Sequence, residues 1–308
     1  MLMGVSSRVS LTPQGPEFSR IIFGMWRLSE WSLSVHERQQ LIEAALELGV
    51  TSFDHADIYG NYQSEALFGE VLAVAPHLRE HLQLVSKCGI KLVSSRRPDH
   101  RLKTYDTGFE HIVASAENSL RALHTEYQDA LLIHRPDPLI DADEVARAFK
   151  ALHQAGKVRH FGVSNFTPSQ FALLQDRMVA NGLSLVTNQV ECSLLQLSPL
   201  YDGTFDQAQQ LKCAPMLWSP LGGGRIFTGS DPVARRVQET LGHIGEQLGA
   251  SATTVLMAWL LALPSQPLLI SGSRRIDVLR ESVQACQLAL SKDHWFELLY
   301  SAQGHEVP

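Results

Sequence analysis

The chain has 308 residues, 44% of them hydrophobic and 19% charged, with a formal net charge of −6. This is the composition of a globular chain able to bury a sizeable core, and the negative balance argues against a general nucleic-acid or acidic-membrane surface. Four cysteines, Cys88, Cys192, Cys213 and Cys286, lie far apart with no CxxC pair, so neither a disulfide scaffold nor a zinc site is indicated and no metal is expected.

The first residues show no charged start followed by a long apolar stretch, so no secretory signal is expected and a reducing, cytoplasmic setting fits the cysteines. An N-terminal extension covers residues 1–17. Eight short β-rich runs then recur along the chain: Phe18 to Leu28, Thr51 to Asp57, Leu82 to Ile90, Asp129 to His134, Val158 to Ser164, Leu185 to Glu191, Ala214 to Ser219, and Leu268 to Ser271. Helix-period segments lie between them, with Phe109, Ile112, Val113, Ala116, Leu120 and Leu123 on one face and Val145, Ala148, Phe149 and Leu152 on another. Thr167, Pro168 and Gln170 form an N-cap, a first-turn proline and a capping-box partner, which starts a helix directly after the fifth run. The longest apolar run, Val255 to Leu263, has nine residues, where a membrane-spanning helix needs about 20. It reads as a buried helix, and no membrane association is expected. Continuous apolar strands alternating with helices imply a parallel sheet covered on both faces. Eight such units favour a closed α/β barrel, a single (β/α)8 TIM barrel domain over residues 1–308, with 291–308 as a short C-terminal tail. An open doubly wound sheet is the rival, and the glycine fingerprint it requires after the first strand is replaced by Phe23-Gly-Met-Trp-Arg-Leu28.

Four chemically distinctive residues fall at or just beyond three successive strand ends: Asp54 and Tyr59, then Lys87, then His134. Tyr59 follows Asp54 by 5 residues and Lys87 follows Tyr59 by 28, close to one βα repeat. Reduction of a carbonyl leaves negative charge on oxygen, so a site needs a proton donor and a polar cradle. A tyrosine is a weak acid, with a pKa of about 10 when unperturbed. An adjacent Lys87 ammonium is expected to lower it toward neutrality, Asp54 to keep that lysine protonated, and His134 to bond the carbonyl oxygen or relay the proton. Taken singly, a Tyr-Gly pair reads as a turn, a strand-end lysine as solvated, His134 as the close of a strand, and Asp54 as a loop anchor. Their coincidence at one barrel mouth is what favours chemistry. His55, beside Asp54, points to the opposite strand face and reads as packing.

Along almost its whole length the chain resembles the aldo-keto reductase family. The resemblance rests on Asp54-His-Ala-Asp-Ile-Tyr-Gly60, Ser86-Lys-Cys-Gly89, Leu132-Ile-His-Arg-Pro-Asp137, Gly156 to Phe166, Asn188-Gln-Val-Glu-Cys-Ser193 and Trp218-Ser-Pro-Leu-Gly-Gly223. It implies NADPH-dependent reduction of a small-molecule carbonyl substrate, an aldehyde or ketone, with Tyr59 as general acid and Asp54, Lys87 and His134 completing a tetrad. It further implies a cofactor site (NADPH/NADP+) in which Ser164, Asn165 and Gln189 hold the nicotinamide carboxamide and Trp218 stacks on the ring. Ser219, Pro220, Leu221, Gly222 and Gly223 run along the pyrophosphate in a loop reaching Gly224, and Gly24, Met25 and Trp26 contribute after the first strand. Gly272, Ser273 and Arg274 meet the 2′-phosphate end, with Glu281 and Ser282 near the adenine and Arg275 and Arg280 as weaker candidates. The chain departs from the usual pattern at His55, Met25, Ser271 and Ser282.

The glycines of Ser219 to Arg225 let backbone amides approach a phosphate, or simply make a flexible turn. The apolar face Ile276, Leu279, Val283, Cys286 and Leu290 starts a helix near Arg275, so two arginines sit at its positive end, an arrangement favourable only with an anion nearby. Trp26, Trp31, Tyr62 and Trp218 are expected to form an apolar wall for the substrate. The basic run Lys91 to Lys103 either steers anions or is solvated. Two rivals stay open. One is an NADPH-binding redox-sensing module like potassium-channel β subunits; the other is a lyase using Lys87 as a Schiff base. Oligomeric state is not legible, and a monomer is compatible.

Overall fold

The computed structural model describes residues 5–308. Eight strands, Ile21–Gly24, Ser52–Asp54, Gln83–Cys88, Gln128–Ile133, Val158–Ser164, Leu185–Glu191, Met216–Trp218 and Leu268–Ser271, pair in parallel and in chain order into a closed barrel. The last strand closes on the first through Leu269 to Ser271 against Ile21 to Phe23. The chain is therefore a (β/α)8 TIM barrel, and every strand delivers its C-terminal residue to the same mouth. Inside, Ile22, Val85, Ala130, Leu132, Val186, Met216, Leu268 and Ile270 fill the barrel. Outside, the opposite strand faces pack on the helix ring through two larger apolar clusters.

The expected runs Val158 to Ser164, Leu185 to Glu191 and Leu268 to Ser271 coincide with the observed strands. The first does not. Phe18 to Leu28 divides into Glu17–Ser19, which pairs antiparallel with Arg8–Ser10, and the barrel strand Ile21–Gly24. Residues 8–19 are thus a hairpin that takes in most of what the sequence reads as an extension, together with the start of the first expected run. Its Leu11 and Phe18 are wholly buried among the inward-facing barrel residues, and Ala214 N donates to Leu11 O at 2.8 Å. The hairpin stoppers the barrel at the end opposite the mouth.

The C-terminal tail is likewise a helix, Lys292–Gln303, capped by Ser291. It docks because Trp295 stacks on Trp259 at 5.2 Å, each indole N–H donating to the other residue's carbonyl, at 3.1 and 3.0 Å. Trp259 belongs to the apolar helix Ala252–Leu261, whose residues Val255 to Leu260 are at most 2% exposed. The two tryptophans are 36 residues apart in the chain, so this contact ties the tail to the core. The capping box at Thr167 and Gln170 forms as read, with Pro168 in the first turn of Pro168–Ala180. No helix among the described residues is long and apolar enough to cross a membrane.

Candidate active site

Asp54, Lys87 and His134 stand within one residue of the ends of the second, third and fourth barrel strands. Past Asp54 the ladder continues informally, His55 N donating to Val85 O at 2.8 Å and Asp57 N to Lys87 O at 3.1 Å. The chain then hooks. Gly60, Asn61 and Tyr62 take successive left-handed φ values of 57°, 56° and 65°. That region costs a non-glycine residue about 1–2 kcal/mol. At Gly60 a Cβ would also lie 2.4 Å from Ser29 Oγ and 2.5 Å from Ser64 Oγ, so only glycine fits. Tyr62 is held in place because its hydroxyl accepts from Leu92 N at 2.8 Å. This hook presents the Tyr59 side chain to the mouth.

Lys87 is 1% exposed, and its ammonium is fully engaged. It lies 2.7 Å from each Asp54 carboxylate oxygen, 2.8 Å from His55 O and 2.9 Å from Tyr59 Oη. An ammonium has three N–H donors, and here each has a direction. Gln189 Nε2 donates to Asp54 Oδ1 at 2.8 Å, closing the cluster across the barrel. The His134 ring stands edge-on to Tyr59, centroids 5.8 Å apart. The expected quartet is one contiguous cluster.

Its electrostatics correct one expectation. The Tyr59 phenol is pushed well above its ordinary value by burial and then by the Asp54 carboxylate. Lys87 does not bring it toward neutrality, because burial and Asp54 outweigh the pull of the lysine's charge. Tyr59 therefore remains a protonated phenol throughout the neutral range. Burial lowers the Lys87 ammonium, with Asp54 opposing. Burial, then Lys87, Arg135 and Lys103, hold His134 well below the usual histidine range, so its imidazole is neutral. His55 is pushed to about 3 by burial and by Lys87, and its ring packs edge-on to Phe68 at 4.6 Å.

Behind Lys87 lies a buried carboxyl that sequence reasoning missed. Glu65 accepts from Ser86 Oγ at 2.5 Å, and its pKa is raised from 4.5 to about 7, burial outweighing Ser86, Ser119 and Lys87. Nearby Asp57 is also raised, by burial and by Glu65. Only the Ser86-Lys87 alternation, which points Ser86 outward from the barrel, hinted at a polar partner there. The folded chain holds a Glu65 proton that the unfolded chain releases, so Glu65 favours folding least above about pH 7. Stability should fall as pH rises from 4.5 to about 7. Glu65→Gln cannot ionise, and urea denaturation at pH 5 and pH 8 should show the variant losing roughly 2 kcal/mol less than the wild type over that interval. Parallel losses in the two proteins would show that Glu65 titrates normally.

The residues expected around a nicotinamide also converge. Ser164 Oγ donates to Gln189 O at 2.8 Å, Asn165 Nδ2 to Ser164 Oγ at 2.8 Å and to His134 O at 3.3 Å, and Trp218 Nε1 to Asn165 Oδ1 at 3.2 Å. Asn165 and Ser219 adopt left-handed φ of 62° and 51°, turning the chain at the ends of the fifth and seventh strands, on either side of the strand that carries Gln189. In the following loop Pro220 is buried and Leu221 packs on the core. Gly222, Gly223 and Gly224 have φ of 58°, 65° and 92°, and Gly223 and Gly224 have open space where a Cβ would point. This is a backbone cradle that a side chain would partly fill. At the eighth strand, Arg274 and Arg275 are exposed and form no ion pair among the described residues, and the Ile276–Gln284 helix starts without a side-chain cap. Arg274 makes only a 3.4 Å bond to Trp31 O. Ser273 and Gly272 lie beside them, Ser273 Oγ accepting from Arg275 N at 3.2 Å. Glu281 is half-buried on the same helix.

Four expected contributors make other contacts in this fold. Met25 is 1% exposed in the apolar core, and Ser282 is wholly buried with its hydroxyl on Val278 O at 2.7 Å. Gly24 answers to packing, since a Cβ there would come within 2.8 Å of Ile270 Cγ2. Trp31 belongs to the core. The apolar wall is correspondingly replaced by a mixed mouth. Trp26 is 56% exposed, Arg97 lies 4.8 Å over the Tyr62 ring, and Arg135 lies 5.7 Å from the Trp218 ring. Most of the basic run is exposed, in keeping with the solvated reading, and it is pinned at two points, Arg96 Nη2 on Gln63 Oε1 at 2.7 Å and His100 Nδ1 on Leu92 O at 2.9 Å.

For a barrel with this cluster at its mouth, comparison with known proteins gives the family. The sequence model of the Aldo/keto reductase family matches residues 20–299. The chain belongs to that family of oxidoreductases, whose members act on small carbonyl compounds and typically use a nicotinamide cofactor. It is 53% identical to "Oxidoreductase YdhF" of Escherichia coli (strain K12), over 98% of this chain and 99% of that protein. It is 43% identical to a "6-dehydroglucose reductase" of Agrobacterium fabrum (strain C58 / ATCC 33970), over 94% and 96% of the two chains. The solved structure of the thermostable aldo-keto reductase Tm1743 with the inhibitor epalrestat matches with a TM-score of 0.80 at 27% identity, covering 96% of this chain and 99% of that one.

Proposed function

We propose that this chain reduces an aldehyde or ketone to the alcohol with NADPH, Tyr59 protonating the nascent alkoxide. The observation that carries the reading is the Tyr59 hydroxyl 2.9 Å from a buried Lys87 ammonium that is itself 2.7 Å from both Asp54 oxygens. When bound, the reduced nicotinamide supplies a hydride to the carbonyl carbon. Ser164, Asn165, Gln189 and Trp218 would hold its ring, the Ser219–Gly224 loop its pyrophosphate, and Ser273, Arg274 and Arg275 a 2′-phosphate. The open side of Gly223 and Gly224 and the two arginines without acidic partners fit such an anionic group.

The chain's own residues do the proton chemistry. Tyr59 keeps its proton because burial and Asp54 oppose the phenolate. As charge develops on the substrate oxygen, the phenol proton moves to it, and the Lys87 ammonium stabilises the phenolate left behind. Asp54 keeps that ammonium charged in a buried place. His134, neutral, can bond the substrate oxygen without repelling Lys87. The printed name of the Agrobacterium fabrum relative, a reductase, supports reduction of a small carbonyl compound here as well.

The test is a fluorescence titration with NADPH, followed in the same cuvette by loss of NADPH absorbance on adding a reactive aldehyde. Binding with turnover supports the reading; no binding of NADPH defeats the cofactor assignment. In the same assay Arg274→Ala should raise the KM for NADPH by roughly tenfold, the scale of a charge-assisted bond to phosphate. The KM for NADH should hardly move, and equal effects on both cofactors would remove Arg274 from the 2′-phosphate site.

A further inference from the structure

Arg135 follows His134 at the end of the fourth barrel strand and is half-buried. Its guanidinium carbon lies 5.7 Å from the Trp218 ring centre, and its charge acts on Tyr59, His134 and Glu191 together. The group therefore lies over the Trp218 ring, near the Tyr59 and His134 side chains. Among the described residues it nonetheless makes no ion pair and no side-chain hydrogen bond within the usual limits of 4.0 and 3.5 Å.

That is an unusual state for a partly desolvated guanidinium, which has five N–H donors and loses free energy when they lack acceptors. The surrounding charges do not supply a partner. Asp54 is committed to Lys87, Asp57 is held toward its neutral form by burial and Glu65, and Asp106 faces Lys91 and His111. Glu191 feels the Arg135 charge, but burial raises it and it lies beyond ion-pair distance of Arg135. On the cationic side, Arg97 stacks on Tyr62, and Lys103 adds its charge at His134. A chain with a net charge of −6 thus keeps a cationic rim around its reacting centre.

We propose that Arg135 is a specificity-determining residue that binds a carboxylate carried by the carbonyl substrate, so that the preferred substrates are oxo-acids rather than neutral aldehydes. The proposal rests on the carbonyl-reductase reading above and names the substrate class for that site. The planar fork of arginine matches a carboxylate with two parallel bonds, and the indole beneath it restrains the fork toward the mouth. Partial burial strengthens the pairing relative to one in open water. Lys87 takes no part, because its three protons are already engaged.

The test compares 4-carboxybenzaldehyde with 4-formylbenzamide, which has the same shape without the charge, and 4-oxobutanoate with butanal. The wild type should favour each acid by about tenfold or more in kcat/KM at low ionic strength, the scale of a bond to a charged group. The preference should shrink with added salt. Arg135→Gln should bring the ratio near one, mainly through the KM of the acids, while Arg135→Lys should keep part of it. A circular dichroism spectrum and the KM for NADPH are recorded for each variant. Equal kcat/KM for acid and amide in the wild type would overturn the proposal, and so would a raised KM for NADPH accompanied by parallel losses on both substrates. Absence of turnover with all four aldehydes would overturn the reductase reading along with it, whereas turnover without discrimination overturns this proposal alone.

Discussion

Tyr59→Phe is expected to lower kcat/KM for aldehyde reduction by roughly 10²–10⁴-fold, the usual contribution of a positioned general acid. NADPH binding should persist. The substitution removes one oxygen and leaves the ring that stands edge-on to His134 at 5.8 Å, so the mouth keeps its shape. Burial and Asp54 hold the wild-type phenol above its ordinary value. The proton it delivers is therefore present across the neutral range, and the wild-type rate should show no loss of activity from phenol ionisation between pH 6 and 9. Steady-state reduction of one aldehyde by both proteins, with a fluorescence titration of NADPH, decides the matter. A variant retaining near-full turnover would defeat the assignment of Tyr59, and His134 would then be the remaining candidate donor.

Lys87→Met should be the most damaging single change for stability at this site. It leaves Asp54, 3% exposed, as a buried carboxylate whose remaining contact is the Gln189 amide. Breaking one side of a buried ion pair typically costs about 3–5 kcal/mol. It also strips Tyr59 of the charge that would stabilise its phenolate, so turnover should fall with stability. The double variant Asp54→Asn/Lys87→Met separates the two effects. It should regain a large part of the lost stability, because no charge is stranded, while carbonyl reduction stays abolished. Urea denaturation and turnover of the three proteins provide the reading. If the double variant is no more stable than Lys87→Met, the loss comes from packing around the lysine stem and the ion-pair account fails.

Much of the site was readable because it depends on local order repeated three times. An apolar run followed by Asp54, by Lys87 and by His134 marks three neighbouring parallel strands, and parallel pairing in chain order carries their ends to one mouth. The capping box at Thr167 is local in the same sense. Features set by burial or by distant partners were not readable. The lysine's third acceptor is a backbone carbonyl, His55 O, which no side-chain pattern announces. Gln189 reaches Asp54 from 135 residues away, although the sequence places it on the cofactor. The direction of the Tyr59 shift depends on how dry the phenol is and how strongly Asp54 acts on it, so proximity to a lysine alone pointed the wrong way.

The sequence by itself determined the alternation of strands and helices, the parallel barrel and the chemical types at its mouth, because period, caps and strand-end residues are properties of short segments. Tertiary structure alone decided that residues 8–19 stopper the barrel, that Trp295 and Trp259 turn a tail into a docked helix, that Met25 and Ser282 face inward, and that Arg135 is left without an acidic partner. Those outcomes depend on which surfaces meet and how far water is excluded between them, and both are set by contacts between residues distant in the chain.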